Sequence, residues 1–217
     1  MEIKLIDGTK KTVNLSDVTT RHFADARSCV PHMMSQINDN YFEGIITKED
    51  KVILDIGANI GLFALHFTPY AERIICVEPT PSHMAIQKEI LKGTICEFEE
   101  SALSDHTGID KMFLCDENST MNSLEIRSGE RFSVNCLTLE DLCKKYSLTK
   151  VDFCKIDIEG SEWVAITKET LKPVFEIIDK AWIEVHPPES RGEFKRIFEA
   201  VGYKVEYCKH DGLLCTK

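Results

Sequence analysis

Short β-branched and apolar runs alternate along this chain with segments whose apolar positions recur at helical spacing. Val52–Asp55, Ile74–Val77, Val151–Ile156 and Ala181–His186 predict strands. Between them, Leu62, Phe63, Leu65 and Phe67 predict a first helix. Thr80 followed by Pro81 predicts the start of a second helix, reaching to about Lys92. Thr138-Leu-Glu-Asp141 reads as a capping box ahead of Leu139, Leu142, Cys143 and Tyr146. A further helix carries Trp163, Ile166 and Leu171, and the last places Phe194, Ile197, Phe198 and Val201 on one face before Gly202 ends it. A third strand precedes Ser101–Asp105. Lys111–Cys115 and Phe132–Cys136 can pair as strands around a polar surface loop, Asp116–Arg127. Strands alternating with helices predict a parallel sheet, and a closing hairpin around Asp211-Gly212 adds an antiparallel strand. At the other end, residues 2–15 predict a hairpin turning at Asp7-Gly8, and Pro31 to about Tyr41 a helix offering Met33, Met34 and Ile37.

The 217 residues are expected to form one domain, with residues 1–50 as an N-terminal extension and 51–217 as the core. With 43% apolar and 29% charged residues, the composition is that of a folded globular chain. No apolar run reaches the length of a membrane span and no signal-peptide pattern is seen, so a cytoplasmic protein is expected. The nine cysteines include no C-x-x-C pair, and several fall in predicted strands, which favours reduced core thiols over disulfides or zinc. A net charge of −10 argues against nucleic acid as partner and leaves a small-molecule substrate. Oligomeric state is not legible.

The chemistry concentrates in Asp55-Ile-Gly-Ala-Asn-Ile-Gly61, where a strand runs through a glycine loop into a helix. That is how a doubly wound sheet presents a nucleotide-like ligand to a helix start. A dinucleotide fingerprint needs glycine at the position of Asn59, which counts against an NAD-dependent oxidoreductase, and no Gly-Lys-Ser/Thr follows for a triphosphate. A loop of this kind without a pyrophosphate partner fits S-adenosylmethionine, whose amino-acid tail takes the place of the phosphates. Glu78, about 20 residues on at the end of the next strand, is placed to accept two ribose hydroxyls.

These segments, together with Val77-Glu-Pro79, Ser101-Ala-Leu-Ser-Asp105, Leu137–Leu142, Lys155-Ile-Asp-Ile-Glu-Gly-Ser-Glu162 and Glu184-Val-His-Pro187, occur in the order seen in FkbM-type methyltransferases, which the chain resembles over about residues 42–187. The resemblance implies a class I S-adenosylmethionine-dependent enzyme. Its fold would be a three-layer, doubly wound, Rossmann-like α/β sheet of seven strands in the order 3-2-1-4-5-7-6, strand 7 antiparallel. Its reaction would be methyl transfer to a hydroxyl of a sugar, polyketide, lipid-like or other small acceptor, leaving S-adenosylhomocysteine.

The expected donor-binding residues are Asp55, Gly57, Ala58, Asn59, Gly61, Glu78, Pro79, Ser101, Ala102 and Asp157. Gly57 and Gly61 let the backbone bend under the methionine portion, with amides at the helix start facing its carboxylate. Asp55 anchors the loop and holds the ammonium, and Ser101-Ala102 borders the adenine. The expected catalytic residues are Asp157, Glu159 and His186, which leave two adjacent strand ends for one crevice. Asp157 would face substrate or donor, and Glu159 or His186 would be the base, Glu159 alternatively capping the helix near Ser161. Glu184 and His186 share a side of their strand. Carboxylates beside a histidine could also hold a divalent cation, but no diagnostic ligand spacing is present, so no metal is expected. The other histidines read as surface or core-edge residues. A nitrogen- or nucleic-acid-directed methyltransferase and a non-catalytic donor-binding module are the alternatives.

Overall fold

The computed structural model describes residues 2–13, 34–35, 37, 41–42, 44–113, 131–208 and 211–217. Seven strands form the central sheet: β3 (Val52–Ile56), β4 (Arg73–Val77), β5 (Cys96–Glu99), β9 (Phe153–Ile156), β10 (Lys180–Glu184), β11 (Lys204–Tyr207) and β12 (Gly212–Thr216). They lie in the order β11-β12-β10-β9-β3-β4-β5. Counting from β3 as strand 1, this is 3-2-1-4-5-7-6. β12 runs antiparallel to both β10 and β11, whereas β3, β4, β5, β9 and β10 are mutually parallel. The order therefore reverses between β3 and β9, and ligands bind beyond the carboxyl ends of the strands at such a switch point.

Both sheet faces are buried, so these strands are nearly continuous apolar runs. Ile53, Phe153 and Trp182 face one layer with α1 (Leu62–Phe67) and Ile86 and Ile90 of α2 (Pro81–Ile90). Leu54, Ile56, Cys154 and Ile183 face the other, with α3 (Leu139–Lys145) and Phe194 and Phe198 of α6 (Arg191–Val201). Thr138 caps α3 by accepting from the Asp141 amide at 3.0 Å, and Gly202 ends α6 with φ +125°. The N-terminal hairpin, β1 (Glu2–Lys4) and β2 (Lys10–Thr12), turns on Asp7, which accepts from the Thr9 amide. Ile3 is completely buried with the α1 layer, and His66 Nδ1 lies 2.8 Å from the Lys4 carbonyl.

The structure departs from expectation in several places. β7 (Gly108–Phe113) and β8 (Arg131–Leu137) do pair, but in a separate three-stranded sheet with β6 (Ala102–Leu103). The single helix expected after Ser161 is two short ones, α4 (Glu162–Ala165) and α5 (Lys168–Leu171). Thr167 starts α5 anew in a capping box with Thr170, and that competing cap interrupts the first helix. In the segment Pro31–Tyr41, Met34, Ser35 and Ile37 are helical and Tyr41 is in a turn; the rest, like Asp116–Arg127, lies outside the described residues. All seven described cysteines are free thiols. Among the described residues no helix is long and apolar enough to cross a membrane.

Candidate functional site

The glycine loop leaves β3 against its neighbours rather than in open space. Gly57 has φ +76°, and a Cβ there would overlap the Asp157 carbonyl oxygen, so no other residue fits without displacing β9. Gly61, at φ +84°, lies against Gln87 and Leu91. The amides of the loop itself, ahead of the helix start at Leu62, are taken up within the protein. Gly57 and Ala58 both donate to the Val77 carbonyl at 3.0 Å, Asn59 donates to Glu78 Oε2 at 3.0 Å, Ile60 to Asn59 Oδ1, and Gly61 to the Ala58 carbonyl. A buried loop must satisfy its own donors, and this one does so by pinning itself to β4 and Glu78.

Glu78 is held from several sides. Oε2 takes the Asn59 amide, Oε1 takes the Thr80 amide at 2.8 Å, and His83 Nδ1 stands 3.5 Å from Oε1. Burial works against its charge, but His83 and Thr80 outweigh it and keep the carboxyl below its ordinary range. Each carboxylate oxygen has a second lone pair, so capacity for further donors remains. His83 was expected at the surface or core edge; it is 1% exposed and belongs to this carboxylate's surroundings. Gln87 is a second residue not expected here, donating from Nε2 to the Asn59 carbonyl at 2.9 Å. Pro79 lies between Glu78 and Thr80, the residue preceding α2, and Ser101 and Ala102 are buried just beyond β5.

Three buried groups in this region have side-chain atoms with no hydrogen-bond partner among the described protein atoms: both carboxylate oxygens of Asp55, Gln87 Oε1 and the hydroxyl of Ser101, with Asp55 near the end of β3 and Ser101 just beyond β5. Orphaned buried acceptors signal a missing partner. The placement of Asp55 and Ser101 on either side of Glu78 in sheet order fits a ligand with an ammonium at one end, a ribose in the middle and a base at the other. Burial pushes the Asp55 carboxyl up to about 6, against the pull of Lys155.

Beyond β9 and β10 a second group of side chains converges. Asp157, Glu159 and His186 each offer a ligand atom within 4.8 Å of the others, and no ion is assigned to them. His186 Nε2 is 3.8 Å from Glu159 Oε2 and 3.8 Å from Glu184 Oε1, so Glu184 and His186 do meet. His186 Nδ1 lies 3.3 Å from Glu162 Oε1. Glu162 is fully buried and accepts the Ile158 amide at 3.1 Å and the Gly160 amide at 2.8 Å. The helix near Ser161 has no side-chain cap, so the alternative role for Glu159 is not seen; Glu162 instead ties down the preceding turn, and Glu159 faces His186 with φ +54°. The Trp163 indole donates to the His186 carbonyl at 3.2 Å and packs edge-on against Phe194.

Burial raises the Glu159 and Glu184 carboxyls to about 8, reinforced by Asp157. Burial disfavours charge on His186, but Glu162, with Glu159 and Asp157, pushes it up to about 9. Lys155 joins both halves of the site. Its ammonium is 3.2 Å from Asp157 Oδ2, 3.3 Å from the Gly57 carbonyl and 3.7 Å from Asp55 Oδ1.

A family model described as the methyltransferase FkbM domain matches residues 55–205. Three solved structures share the fold. One is magnesium protoporphyrin IX methyltransferase (ChlM) from Synechocystis PCC 6803 with bound SAM, at 9% identity and TM-score 0.50, covering 92% of this chain and 85% of that one. Precorrin-6y C5,15-methyltransferase from Geobacter metallireducens GS-15 matches at 13% identity and TM-score 0.50, covering 84% and 89%. The DhpI–SAH complex matches at 13% identity and TM-score 0.51, covering 91% and 92%. No curated protein matches the chain in sequence.

Proposed function

The chain belongs to the FkbM methyltransferase family, a family of S-adenosylmethionine-dependent enzymes, and on that premise we propose that it methylates a hydroxyl oxygen of a small molecule. The observation carrying this reading is the Glu162–His186 pair. A fully buried carboxylate holds one ring nitrogen, and the other is turned toward Glu159 and Glu184 at the partly exposed end of the sheet. A hydroxyl is a weak nucleophile until its proton has somewhere to go, and a histidine oriented by a carboxylate supplies that place.

The donor, when bound, supplies an electrophilic methyl group on a sulfonium sulfur. Asp55, Gly57, Ala58, Asn59, Gly61, Glu78, Pro79, Ser101, Ala102 and Asp157 are the residues that would hold it: Asp55 its ammonium, Glu78 its ribose hydroxyls, Ser101-Ala102 its base. The chemistry it would supply is transfer of that methyl to the acceptor oxygen, with the sulfur leaving as a neutral thioether. His186 Nε2 would take the hydroxyl proton from the uncharged form of the ring, whose share grows as pH rises toward about 9, Glu162 positions the ring, and Asp157 and Glu159 orient the acceptor. Most of the acceleration comes from holding acceptor and methyl in line, which the strand ends are placed to do. The net charge of −10 supports a small acceptor over a polyanion. Asp157, Glu159 and His186 act in this reading as proton and substrate ligands, not as a resident metal site.

Titration calorimetry with S-adenosylmethionine, S-adenosylhomocysteine and NAD tests the donor; binding of NAD alone would overturn it. A labelled-methyl assay against hydroxylated small molecules, amines and RNA tests the acceptor. Transfer to oxygen that is lost in His186→Ala and unaffected by a chelator is the expected result. Loss on chelation with recovery on adding magnesium would reassign the cluster to a metal.

A further inference from the structure

Lys155 faces Asp55 across the β3–β9 pairing, on the sheet face covered by α1, and its ammonium stands 5.8 Å over the Phe63 ring. Among the described residues no other lysine or arginine is buried. Around it stand Asp55 from β3, Asp157 and Glu159 beyond β9, and Glu184 at the end of β10, with Glu162 farther along the same turn. These five carboxyl groups face two cationic side chains, Lys155 and His186, the second paired with Glu162 on the far side of the cluster. Asp55 lies 3.7 Å from the ammonium, too far for a hydrogen bond. Its two oxygens have no hydrogen-bond donor among the described protein atoms, so this cation is what compensates its buried charge.

An acid-rich pocket grips a sulfonium cation more firmly than the neutral thioether left after transfer. Excess grip on the starting state slows a reaction in which that positive charge disperses. From the contacts of its ammonium with the Gly57 carbonyl, Asp157 and Asp55, we infer that Lys155 is a positioning residue that sets how strongly the site prefers the charged donor over its neutral product. It does so by tying the glycine loop to the acceptor-side carboxylates and cancelling part of their field. The inference rests on the donor binding beside this loop, and its test separates the two.

The measurement is the ratio of affinities for S-adenosylmethionine and S-adenosylhomocysteine, by calorimetry at fixed pH and salt. Both ligands carry the same ammonium, carboxylate, ribose and adenine, so the ratio reports the sulfonium charge. Lys155→Met is expected to raise the ratio on the order of tenfold, what one unit charge does to another across a partly screened interior. Lys155→Arg, which keeps the charge, should hold the wild-type ratio even if both affinities drop. Asp55→Asn removes a negative charge and should move the ratio the other way. If Lys155→Met does not fold, Lys155→Gln decides the matter: a raised ratio supports the inference, and an unchanged one overturns it. A Lys155→Met protein that loses affinity for both ligands equally has lost only structure, which also overturns the inference. Failure of the wild-type protein to bind either ligand would instead overturn the donor reading.

Discussion

Replacing Glu162 by glutamine changes one atom and tests the proposed proton acceptor without knowledge of the methyl acceptor. The carboxylate takes three donors: the Ile158 amide, the Gly160 amide and, at 3.3 Å, the ring of His186. Glutamine keeps one oxygen and turns an NH2 toward whichever backbone amide faces its nitrogen. One charge-assisted bond is lost and one buried donor is left unsatisfied, together about 3 kcal/mol of stability. The effect on His186 follows from distance. A unit charge at that separation and an effective dielectric of about 20 is worth about 5 kcal/mol, an upper bound that solvent around the half-buried ring reduces. A fall of at least about one pH unit in the His186 midpoint, from about 9, is therefore expected. Two-dimensional NMR of the histidine rings from pH 6 to 10, with His186→Gln to assign the resonance, reads it directly. Urea denaturation gives the stability loss. A folded Glu162→Gln protein whose His186 midpoint stays near the wild-type value would refute the pairing and the role built on it.

Three other outcomes follow from the same geometry. Gly57→Ala must abandon φ +76° at about 1–2 kcal/mol and push the Asp157 carbonyl aside, so S-adenosylhomocysteine binding should be abolished; binding within twofold of wild type would show that the loop is not the donor site. Gln87→Met removes the donor to the Asn59 carbonyl at near-constant volume. It should cost about 1 kcal/mol in denaturation and weaken the same binding several-fold, and an unaltered affinity would refute that support. Glu159, Glu184 and His186 all have raised folded-state values, so each contributes stability that is full below its unfolded value, ordinary for Glu or His. That contribution is lost as pH rises toward about 8 for the carboxyls and about 9 for the histidine. The ligand-free protein should therefore be more stable at pH 5 than at pH 9 in urea titrations, with the difference reduced in His186→Gln; a flat profile would contradict the cluster's titration.

The frame of the molecule was legible in the chain because it follows from local pattern. β-branched runs set the strands, Gly57 and Gly61 marked the loop, and the closing turn at Asp211-Gly212 announced the antiparallel strand. Side-chain partnerships across the fold were not legible in the same way. Glu162 and His186 are 24 positions apart, and Gln87 and Asn59 are 28 apart. What brings each pair together is the β-α-β return, not any spacing in the sequence. Glu159 could be read as base or as cap from its place before Ser161; its left-handed backbone and the reach of Glu162 back to the Ile158 and Gly160 amides belong to the folded turn alone. His83 looked solitary because its partner, Glu78, belongs to the preceding strand end and meets it only once α2 folds back. The pinning of the loop amides to β4 and Glu78 was likewise not legible, because those acceptors come from the next strand and its end.

The contact between Gly57 and the Asp157 carbonyl has a consequence for how such an enzyme can diversify. With no room for even a methyl group against the Asp157 carbonyl, position 57 is held to glycine and neither segment can shift alone. A descendant exploring new acceptors must leave that seam untouched and vary what surrounds it, such as the end of β10 or the face of Trp163. The seam is thus a fixed point of inheritance: the backbone there is kept, and the side chains around it are what remain free to change.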